Sequence, residues 1–329
     1  MAINVASLPA YVEEKRLPII AKIILGAKTA ELLTLATDVK GKTALNLLNT
    51  EVVFGDGSTC GWNEAGTSTL SQRYIDPAIL KVNMSFCDKT LLGKWTAYEV
   101  SLAAGKETLP FEEDFVNDII KHVNYGIEKM IWQGKKLSGN QCDGFLEILK
   151  NEGTAKKVVV AQGTGAYEAI KAVYKAIPSE VVMKEDTVIF VSEGMYRNFI
   201  QDLVAANLYH FAPDYKDGEY KLPGTSVRVI ATSGLNGTAG AGEDKIVAGQ
   251  LSNMFYGVDA ADDSSTVDLW YSKDQREFRL AIEFAVGVQV AFPDQVVYTP
   301  EASSKLSLCF KAQNTAIASA SSPTHPSPS

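Results

Sequence analysis

The clearest pattern of apolar and polar positions lies between residues 111 and 134. Apolar residues recur there about every four positions, as on one face of a helix, at Phe115, Ile119, Val123, Ile127 and Ile131. Pro110 lies at the start of the run, and the acidic residues 112–114 suit the positive end of a helix dipole. Gly134, followed by two lysines, is a typical helix end. The pattern predicts one long helix over 111–134.

Alternation of apolar and polar residues predicts strands outside this helix. Leu80–Phe86 alternates in the way that a half-buried strand does. Val267–Tyr271 and Phe278–Phe284 alternate too, and Ser272–Gln275 between them has the composition of a turn. We therefore expect a hairpin near the end of the chain, with its second strand continuing to Phe292.

Residues 46–87 are predicted to form a long two-stranded arm. From Thr50 to Thr69, glycine, serine, threonine and asparagine dominate, which is typical of a turn-rich loop. The strand-like Glu51–Phe54 precedes this loop, and the strand at 80–86 follows it. The arm has little core of its own, and such an arm needs burial elsewhere, usually on another subunit.

The remaining segments alternate between helical and strand patterns. Near the start, Tyr11–Arg16 is predicted as a helix that ends before Pro18. Residues 155–260 have an α/β pattern, with a buried strand at 187–191 and then a helix that Ser192 can cap. The glycine-rich stretch 234–242 is predicted to be a flexible tip.

Composition and charge narrow the class of protein. The 329 residues are 46% hydrophobic and 21% charged, as in ordinary globular proteins, and about 150 residues per domain predicts about two domains. The net charge of −8 argues against a chain that grips phosphates over a broad basic surface. We expect no transmembrane helix, because no uncharged stretch approaches about 20 apolar residues. The N-terminus lacks the order of a signal peptide, so secretion is not expected.

Residues that commonly carry catalysis are few and scattered. The four cysteines stand singly, and none of the three histidines has a cysteine or second histidine at ligand spacing. We therefore predict free thiols, no metal site and no cofactor. A serine nucleophile motif of the GxSxG type is absent from the sequence. The expected protein is not an enzyme.

Two segments come close to nucleotide-binding motifs. Residues 36–43 match the phosphate loop, except that alanine stands where the first glycine is needed and a helical segment precedes it. Residues 158–168 place Gly163 and Gly165 between a predicted strand and a helix, but Glu168 stands where a dinucleotide site needs a small residue. A plain strand-to-helix turn is the simpler interpretation, and a nucleotide-binding α/β enzyme stays as an alternative.

The order of the predicted elements resembles the major capsid protein family of tailed bacteriophages, which has the Hong Kong 97-type capsid fold. The resemblance covers about residues 40–300. It is carried by their joint order and by the segments Val82–Leu91, 111–134, Thr187–Arg197, Asn253–Asp259, Glu277–Leu280 and Phe284–Val297. None of these segments is a catalytic signature.

The resemblance implies an α+β fold with a defined division of the chain. That division is an N-terminal arm (1–45), an extended loop (46–87), a peripheral domain (88–154 and 265–300) with the spine helix 111–134, an axial domain (155–264) and a Ser/Pro-rich C-terminal tail (301–329). The implied protein self-assembles into pentamers and hexamers of an icosahedral phage head around double-stranded DNA. The extended loop and the N-terminal arm would each lie on a neighbouring subunit.

The resemblance also implies partners and contact residues. Six residues are predicted to contact other subunits: Phe54, Trp62, Tyr74, Gly234, Gly237 and Gly242. Scaffold, portal and decoration proteins are further expected partners. The DNA would be held by enclosure without sequence-specific binding, and no membrane is involved. The expected location is the virion capsid, after assembly in the host cytoplasm.

Three features leave alternatives open. No long charged pro-region precedes the arm, so a scaffold would be a separate chain or a removed segment. The Ser/Pro-rich tail is additional to the family pattern and is not expected to form a core, and its docking on a neighbouring subunit is a hypothesis. An encapsulin, which is a cellular compartment shell with the same fold, is the first alternative, and a phage structural protein outside the shell is another.

Overall fold

The structure is a computed structural model that describes residues 7–54, 66–87, 111–136, 142–161, 164–207, 218–222, 224–237, 245–259 and 265–300, with single positions between 58 and 100. The helices are α1 (Ser7–Glu14), α2 (Arg16–Leu25), α3 (Lys28–Leu32), α4 (Phe111–Gln133), α5 (Phe145–Asn151), α6 (Ala166–Ala176), α7 (Ser179–Val182) and α8 (Glu193–Ala205). The strands are β1 (Thr34–Ala36), β2 (Thr43–Val52), β3 (Gly66–Ile75), β4 (Ala78–Cys87), β5 (Lys156–Lys157), β6 (Thr187–Ser192), β7 (Glu219–Lys221), β8 (Arg228–Thr232), β9 (Ile246–Gln250), β10 (Met254–Val258), β11 (Thr266–Ser272), β12 (Glu277–Val290) and β13 (Val297–Tyr298).

The first sheet is built around the long strand β12. One edge of β12 pairs antiparallel with β11 through residues 277–283 and then with β10 through residues 286–290. Its other edge pairs with β4 along residues 277–286. Strand β1 joins parallel to β10. Because alternate residues of β12 point to opposite faces, the sheet has one buried apolar face.

Helices cover that apolar face. The long helix α4 packs its Phe115 and Ile119 against it, and α1 and α2 add Val12 and Ile23 to the same core. The rings of Phe86, from β4, and Phe115 are 5.0 Å apart between centroids. The N-terminal helices therefore lie on the chain's own long helix and first sheet.

The second sheet has the strand order β5-β13-β9-β6-β8-β7, and its central strands β9 and β6 are buried on both faces. In its central strand β6, Val188 and Phe190 point to the core that contains α4. Ile189 and Val191 point to a second core, formed with α6 and α8. A strand covered on both faces has no polar positions to alternate, and this explains the continuous apolar run in β6.

Several sequence predictions are confirmed by the structure. The long helix spans Phe111–Gln133, and the hairpin near the chain end is β11–β12. Ser192 caps α8, since its Oγ accepts a hydrogen bond from the Met195 backbone N–H at 3.1 Å. The strand predicted before Gly163, over Lys157–Ala161, is shorter than expected, because only Lys156–Lys157 pair with β13.

The first helix ends before Pro18, as predicted, since α1 stops at Glu14. Pro18 itself lies in the first turn of the next helix, α2, which runs from Arg16 to Leu25. Proline is tolerated there because the first backbone N–H groups of a helix have no partner within the helix. Helices α1–α3 do not reach away from the chain as the arm expectation implied. The Tyr256 hydroxyl, for example, donates to the Ile24 backbone oxygen at 3.1 Å.

The arm is a true two-stranded hairpin, but its second strand differs from the prediction. Strand β2 pairs antiparallel with β3, from Thr43 opposite Ile75 to Val52 opposite Gly66. The strand at 80–86, predicted as part of the arm, is β4 and belongs to the first sheet. The polar composition of β3 suggested a loop. Its residues are nearly all exposed, so no apolar alternation marked them as a strand.

Candidate assembly surface

The hairpin β2–β3, called the arm here, has two different faces. Side chains alternate across a strand, so Leu48, Leu70 and Val52 share one face, and Leu47 and Ile75 share the other. Leu47 and Ile75 are buried, whereas Leu48, Leu70 and Val52 are 64%, 71% and 67% exposed. The arm therefore presents an outer face with an apolar stripe that nothing within the described chain covers.

The stripe centres on a cross-strand pair. Leu48 lies directly opposite Leu70 in the register, which brings two apolar side chains together on an otherwise polar surface. Phe54, just beyond the end of β2, is 95% exposed. At about 3.4 Å per residue, ten residues of strand extend this surface over roughly 34 Å.

The base of the arm is fastened by a fitted apolar contact. Gly257 on β10 and Gly287 on β12 lie opposite each other in the first sheet. A Cβ atom added to Gly257 or Gly287 would come within 2.8 Å or 3.1 Å of Ile75 Cγ2. Two glycines side by side thus leave the space that the fully buried Ile75 fills.

Polar contacts hold the same base. Arg73 forms an ion pair with Glu152, and Lys136 forms one with Asp76. The hydrogen bond and charge of Asp76 raise the pKa of Lys136. The Gln289 side-chain amide donates to the Tyr74 backbone oxygen at 2.7 Å. The arm is therefore anchored at its base and unsupported along its length.

The residues predicted to contact other subunits have different outcomes. Phe54 lies on the exposed end of the arm. Tyr74 lies on the outer face near the base and is 42% exposed, with Lys42 Nζ 4.7 Å from its ring centroid. Gly237 is half-buried in the segment after β8. Trp62 and Gly242 lie outside the described residues.

Gly234 is a correction to the sequence prediction. It was expected in a flexible tip that contacts other subunits, but it is buried in a short 3₁₀ helix, Ser233–Leu235. A Cβ atom there would lie 2.3 Å from both the Glu128 backbone oxygen and Trp132 Cδ1. Glycine is required because the 3₁₀ helix packs directly on α4, within the same chain.

A buried polar cluster joins α3, α4 and β8 at this point. The Glu128 carboxylate accepts hydrogen bonds from the Thr29 backbone N–H at 3.0 Å and from the hydroxyls of Thr29 and Thr232. The Trp132 indole N–H donates to Thr29 Oγ1 at 2.9 Å. Glu128 is only 3% exposed, and these donors satisfy its charge. The cluster has a structural role.

The nucleotide-binding alternative meets a specific obstacle in the structure. At the N-terminus of α6, the Asp202 carboxylate accepts a hydrogen bond from the Tyr167 backbone N–H at 3.1 Å. A carboxylate therefore occupies the place where a dinucleotide pyrophosphate would bind, and it would repel phosphate. The other motif, residues 36–43, leads into strand β2 rather than into a helix. Gly163 lies outside the described residues.

Chemistry beyond this surface is sparse in the described part of the chain. Within it, no group of three or more potential metal-ligating side chains comes together. No described helix is long and apolar enough to cross a membrane. Burial raises the pKa of the Cys142 thiol to about 12, so this thiol is protonated and a poor nucleophile at neutral pH.

Comparison with solved structures identifies the fold. No protein-family model matches the sequence, and no curated protein matches it. The structure is similar to one titled satellite phage P4 procapsid including size determination (Sid) protein, with a TM-score of 0.56, 11% identity and coverage of 89% of this chain and 95% of that chain. It is also similar to Gordonia phage Cozz, with a TM-score of 0.54, 12% identity and coverage of 84% and 87%. A third is the capsid of an empty GTA particle, with a TM-score of 0.53, 12% identity and coverage of 84% and 90%.

These similarities confirm the fold prediction. The chain has the α+β, Hong Kong 97-type capsid fold, and the similarity extends over most of both chains. Phe54, Trp62, Tyr74, Gly237 and Gly242 stay predicted contact residues. Leu48, Leu70 and Ile75 were not predicted from the sequence, where the one available signal was the leucine-rich start of β2, Leu45–Leu48.

Proposed function

We propose that this chain is a structural major capsid protein that self-assembles into the pentamers and hexamers of an icosahedral phage head. The observation that carries the proposal is the arm: a long hairpin with an apolar outer face and no core of its own, on a chain with a capsid fold. Isolated two-stranded hairpins are marginally stable in water. Burial against another subunit would supply the missing contacts along the arm.

The anchoring of the arm supports this role. Because Ile75, Arg73 and Asp76 are held by the body of the chain, the arm leaves it in a defined direction. An anchored arm can place Leu48, Leu70 and Phe54 on a neighbour with little further loss of conformational entropy. Obligate assembly interfaces often exceed about 2,000 Å², and many small contributions of this kind sum to a stable shell.

The proposal includes the division of the chain described above. The peripheral domain would comprise 88–154 and 265–300, and the axial domain 155–264 would point to the capsomer axes. The second core supports the axial domain, since it draws its residues from 166–248 and from Val297. The other face of the same sheet, with Val188 and Phe190, joins the core around α4 and connects the two domains. Portal, scaffold and decoration proteins would be partners. Assembly would take place in the host cytoplasm, with a non-enzymatic role in the virion.

The direct test is size-exclusion chromatography followed by negative-stain electron microscopy of the purified chain. We expect closed shells, or rings of five and six subunits. A monomer of 35.6 kDa at high concentration, even with a candidate scaffold supplied, would contradict the proposal. Double-stranded DNA inside particles recovered from infected cells would distinguish a phage head from a cellular encapsulin.

A variant pair makes the test specific to the arm. Leu48→Ser with Leu70→Ser removes the apolar pair from the outer face, and we expect it to abolish closed shells. Thr50→Ser with Ser68→Thr keeps the polarity of the adjacent cross-strand pair and should assemble normally. Normal shells from the leucine variant would show that the outer face of the arm is not an assembly contact.

A further inference from the structure

The long helix α4 changes its surface charge along its length. Its first part carries exposed or half-exposed acids, including Asp114 and Asp118. From residue 121 to its end, the exposed lysine and histidine side chains are Lys121, His122 and Lys129. The one acid in that part, Glu128, is buried and satisfied by Thr29 and Thr232. The second part of the helix is thus basic on its exposed side, although the whole chain has a net charge of −8.

Helix α8 brings a further cation to the same side. Lys121, Tyr125 and Lys129 follow one another every four residues and so lie on one line along the helix, about 12 Å long at roughly 1.5 Å per residue. Tyr125 and Arg197 of α8 both line a cavity of about 560 Å³ beside that line. We call Lys121, Lys129 and Arg197 the basic stripe.

The cations of the basic stripe lie together and form no ion pairs within the described part of the chain, where no carboxylate oxygen lies within 4 Å of the charged nitrogens of these three side chains. Lys15, Lys81, Lys94, Lys136, Lys150, Lys171, Arg73 and Arg228 all have such partners. Other lysines without ion pairs, such as Lys156, Lys157 and Lys175, lie on other elements. Glu193 lines the same cavity as Arg197, so one acid lies beside the stripe, and its carboxylate accepts a hydrogen bond from the uncharged Asn236 amide at 3.2 Å.

We propose that the basic stripe binds the phosphate backbone of double-stranded DNA without reading its sequence. The identity of this polyanion rests on the proposed function, since a phage head holds DNA at high concentration. A 12 Å length of duplex axis carries about three or four phosphates on each strand, at about 3.4 Å per charge, so the line from Lys121 to Lys129 can follow one stretch of backbone. The exposed side of a straight helix suits this ligand better than an acidic peptide, which would also need apolar contacts.

The expected binding is weak and sensitive to salt. Three phosphate contacts give a slope of about −2.7 in a plot of log affinity against log salt, or about a 40-fold loss between roughly 50 and 200 mM salt. The net charge of −8 further weakens binding through repulsion of the duplex by the rest of the chain. Such a surface would hold packaged DNA in place and still let it leave.

Fluorescence anisotropy with a labelled random-sequence duplex of about 30 base pairs tests the proposal on the purified full-length chain. The test variant is Lys121→Gln, Lys129→Gln and Arg197→Gln. The matched control, Lys156→Gln, Lys157→Gln and Lys175→Gln, neutralises three exposed lysines outside the stripe. We expect the test variant to reduce the salt slope by about 2.7 and the control to change it by less than about 1.

Each other outcome overturns the inference. The inference is wrong if wild-type protein does not bind the duplex at about 50 mM salt. It is also wrong if the control variant weakens binding as much as the test variant does. Stripe-dependent binding of poly-glutamate in preference to the duplex would assign the surface to an acidic protein instead. Electron microscopy of the same samples separates the two proposals, since failure of wild-type assembly contradicts the capsid role and leaves the binding result to stand by itself.

Discussion

The arm and the junction around Trp132 are built on opposite principles. On the outer face of the arm, Leu48 and Leu70 are more than 60% exposed, and the side chains along most of the hairpin touch little of the chain. At the junction, Trp132 is fully buried between Phe145 and Phe190, with ring centroids 5.4 and 4.9 Å away. One region completes its packing within the chain, whereas the other leaves apolar surface open.

The difference shows whether burial of apolar side chains in each region stabilises the single chain or the assembly. Burial of the Trp132 side chain contributes to the stability of a single chain. Exposed leucines contribute nothing to that stability, and their transfer from water takes place only when another surface covers them. A substitution in the junction should therefore change the free energy of unfolding, and one on the arm should change assembly alone.

The largest effect on unfolding is expected at the junction. Trp132→Ala removes the indole from a closed core and leaves the Thr29 hydroxyl without its donor, so we expect a loss of about 4 kcal/mol in the free energy of unfolding. Chemical denaturation of the unassembled chain measures it. Trp270→Ala is the matched control, because Trp270 is 45% exposed on β11 and should cost less than about 1 kcal/mol. Equal losses for the two variants would contradict the contrast between the regions.

The base of the arm is expected to show an intermediate effect. Gly257→Ala drives a methyl group to within 2.8 Å of Ile75 Cγ2, and overpacking of this kind costs about 1–3 kcal/mol. A Cβ atom at Gly126 in α4 would meet nothing within 4 Å, so Gly126→Ala should instead stabilise the chain by up to about 1 kcal/mol.

A double-mutant cycle shows whether the contact with Ile75 causes that loss. In an Ile75→Ala background the added methyl group of Gly257→Ala has room, and most of its cost should disappear. If the two substitutions were instead strictly additive, the arm would not be seated on this pair of glycines.

Local patterns predicted the parts of the fold whose packing is regular. The four-residue repeat from Phe115 to Ile131 predicted α4, and the alternation of Phe278–Phe284 predicted β12, because each element buries one face. Strand β3 had no such signal, since it is exposed on both faces and its pairing with β2 depends on backbone hydrogen bonds.

Contacts between distant segments could not be predicted in this way. Glycine at 234 suggested mobility, but the residue is required by close packing on Glu128 and Trp132, about a hundred positions earlier in the chain. The packing of Ile75 against Gly257 and Gly287 likewise joins residues that are far apart in sequence. Pro18 suggested a helix end, but it lies in the first turn of α2, where proline is tolerated. The sequence alone does not show whether a proline lies in the first turn or in the interior of a helix.

The smallest change in unfolding free energy is expected on the arm itself. Leu48→Ser with Leu70→Ser should change it by less than about 0.5 kcal/mol, because both side chains are exposed in the isolated chain. Denaturation of the unassembled variant, beside wild type at the same concentration, measures this. A loss above about 2 kcal/mol would mean that the leucines already pack within the chain, and the distinction between arm and junction would fail.

A pH-dependent contribution next to the central strand β6 of the second sheet tests the same distinction on polar contacts. Burial acts to raise the pKa of Asp186, but hydrogen bonds from the Ser252 hydroxyl and backbone N–H and from Gln250 outweigh it and lower the pKa. A carboxyl group with a lowered folded-state pKa stabilises the chain fully above its unfolded value of about 3.9, and loses that contribution as pH falls through the folded value.

The stability difference between wild type and Asp186→Asn should therefore be largest near neutral pH and shrink as the pH falls below about 4. Denaturation of the unassembled chain at several pH values measures it, with Asp268→Asn, an exposed acid on β11, as the control with no such trend. Because Asp186 and Ser252 belong to one chain, the trend should be the same before and after assembly. A difference that grows as pH falls would mean that Asp186 is held in its neutral form and that these hydrogen bonds do not favour the carboxylate.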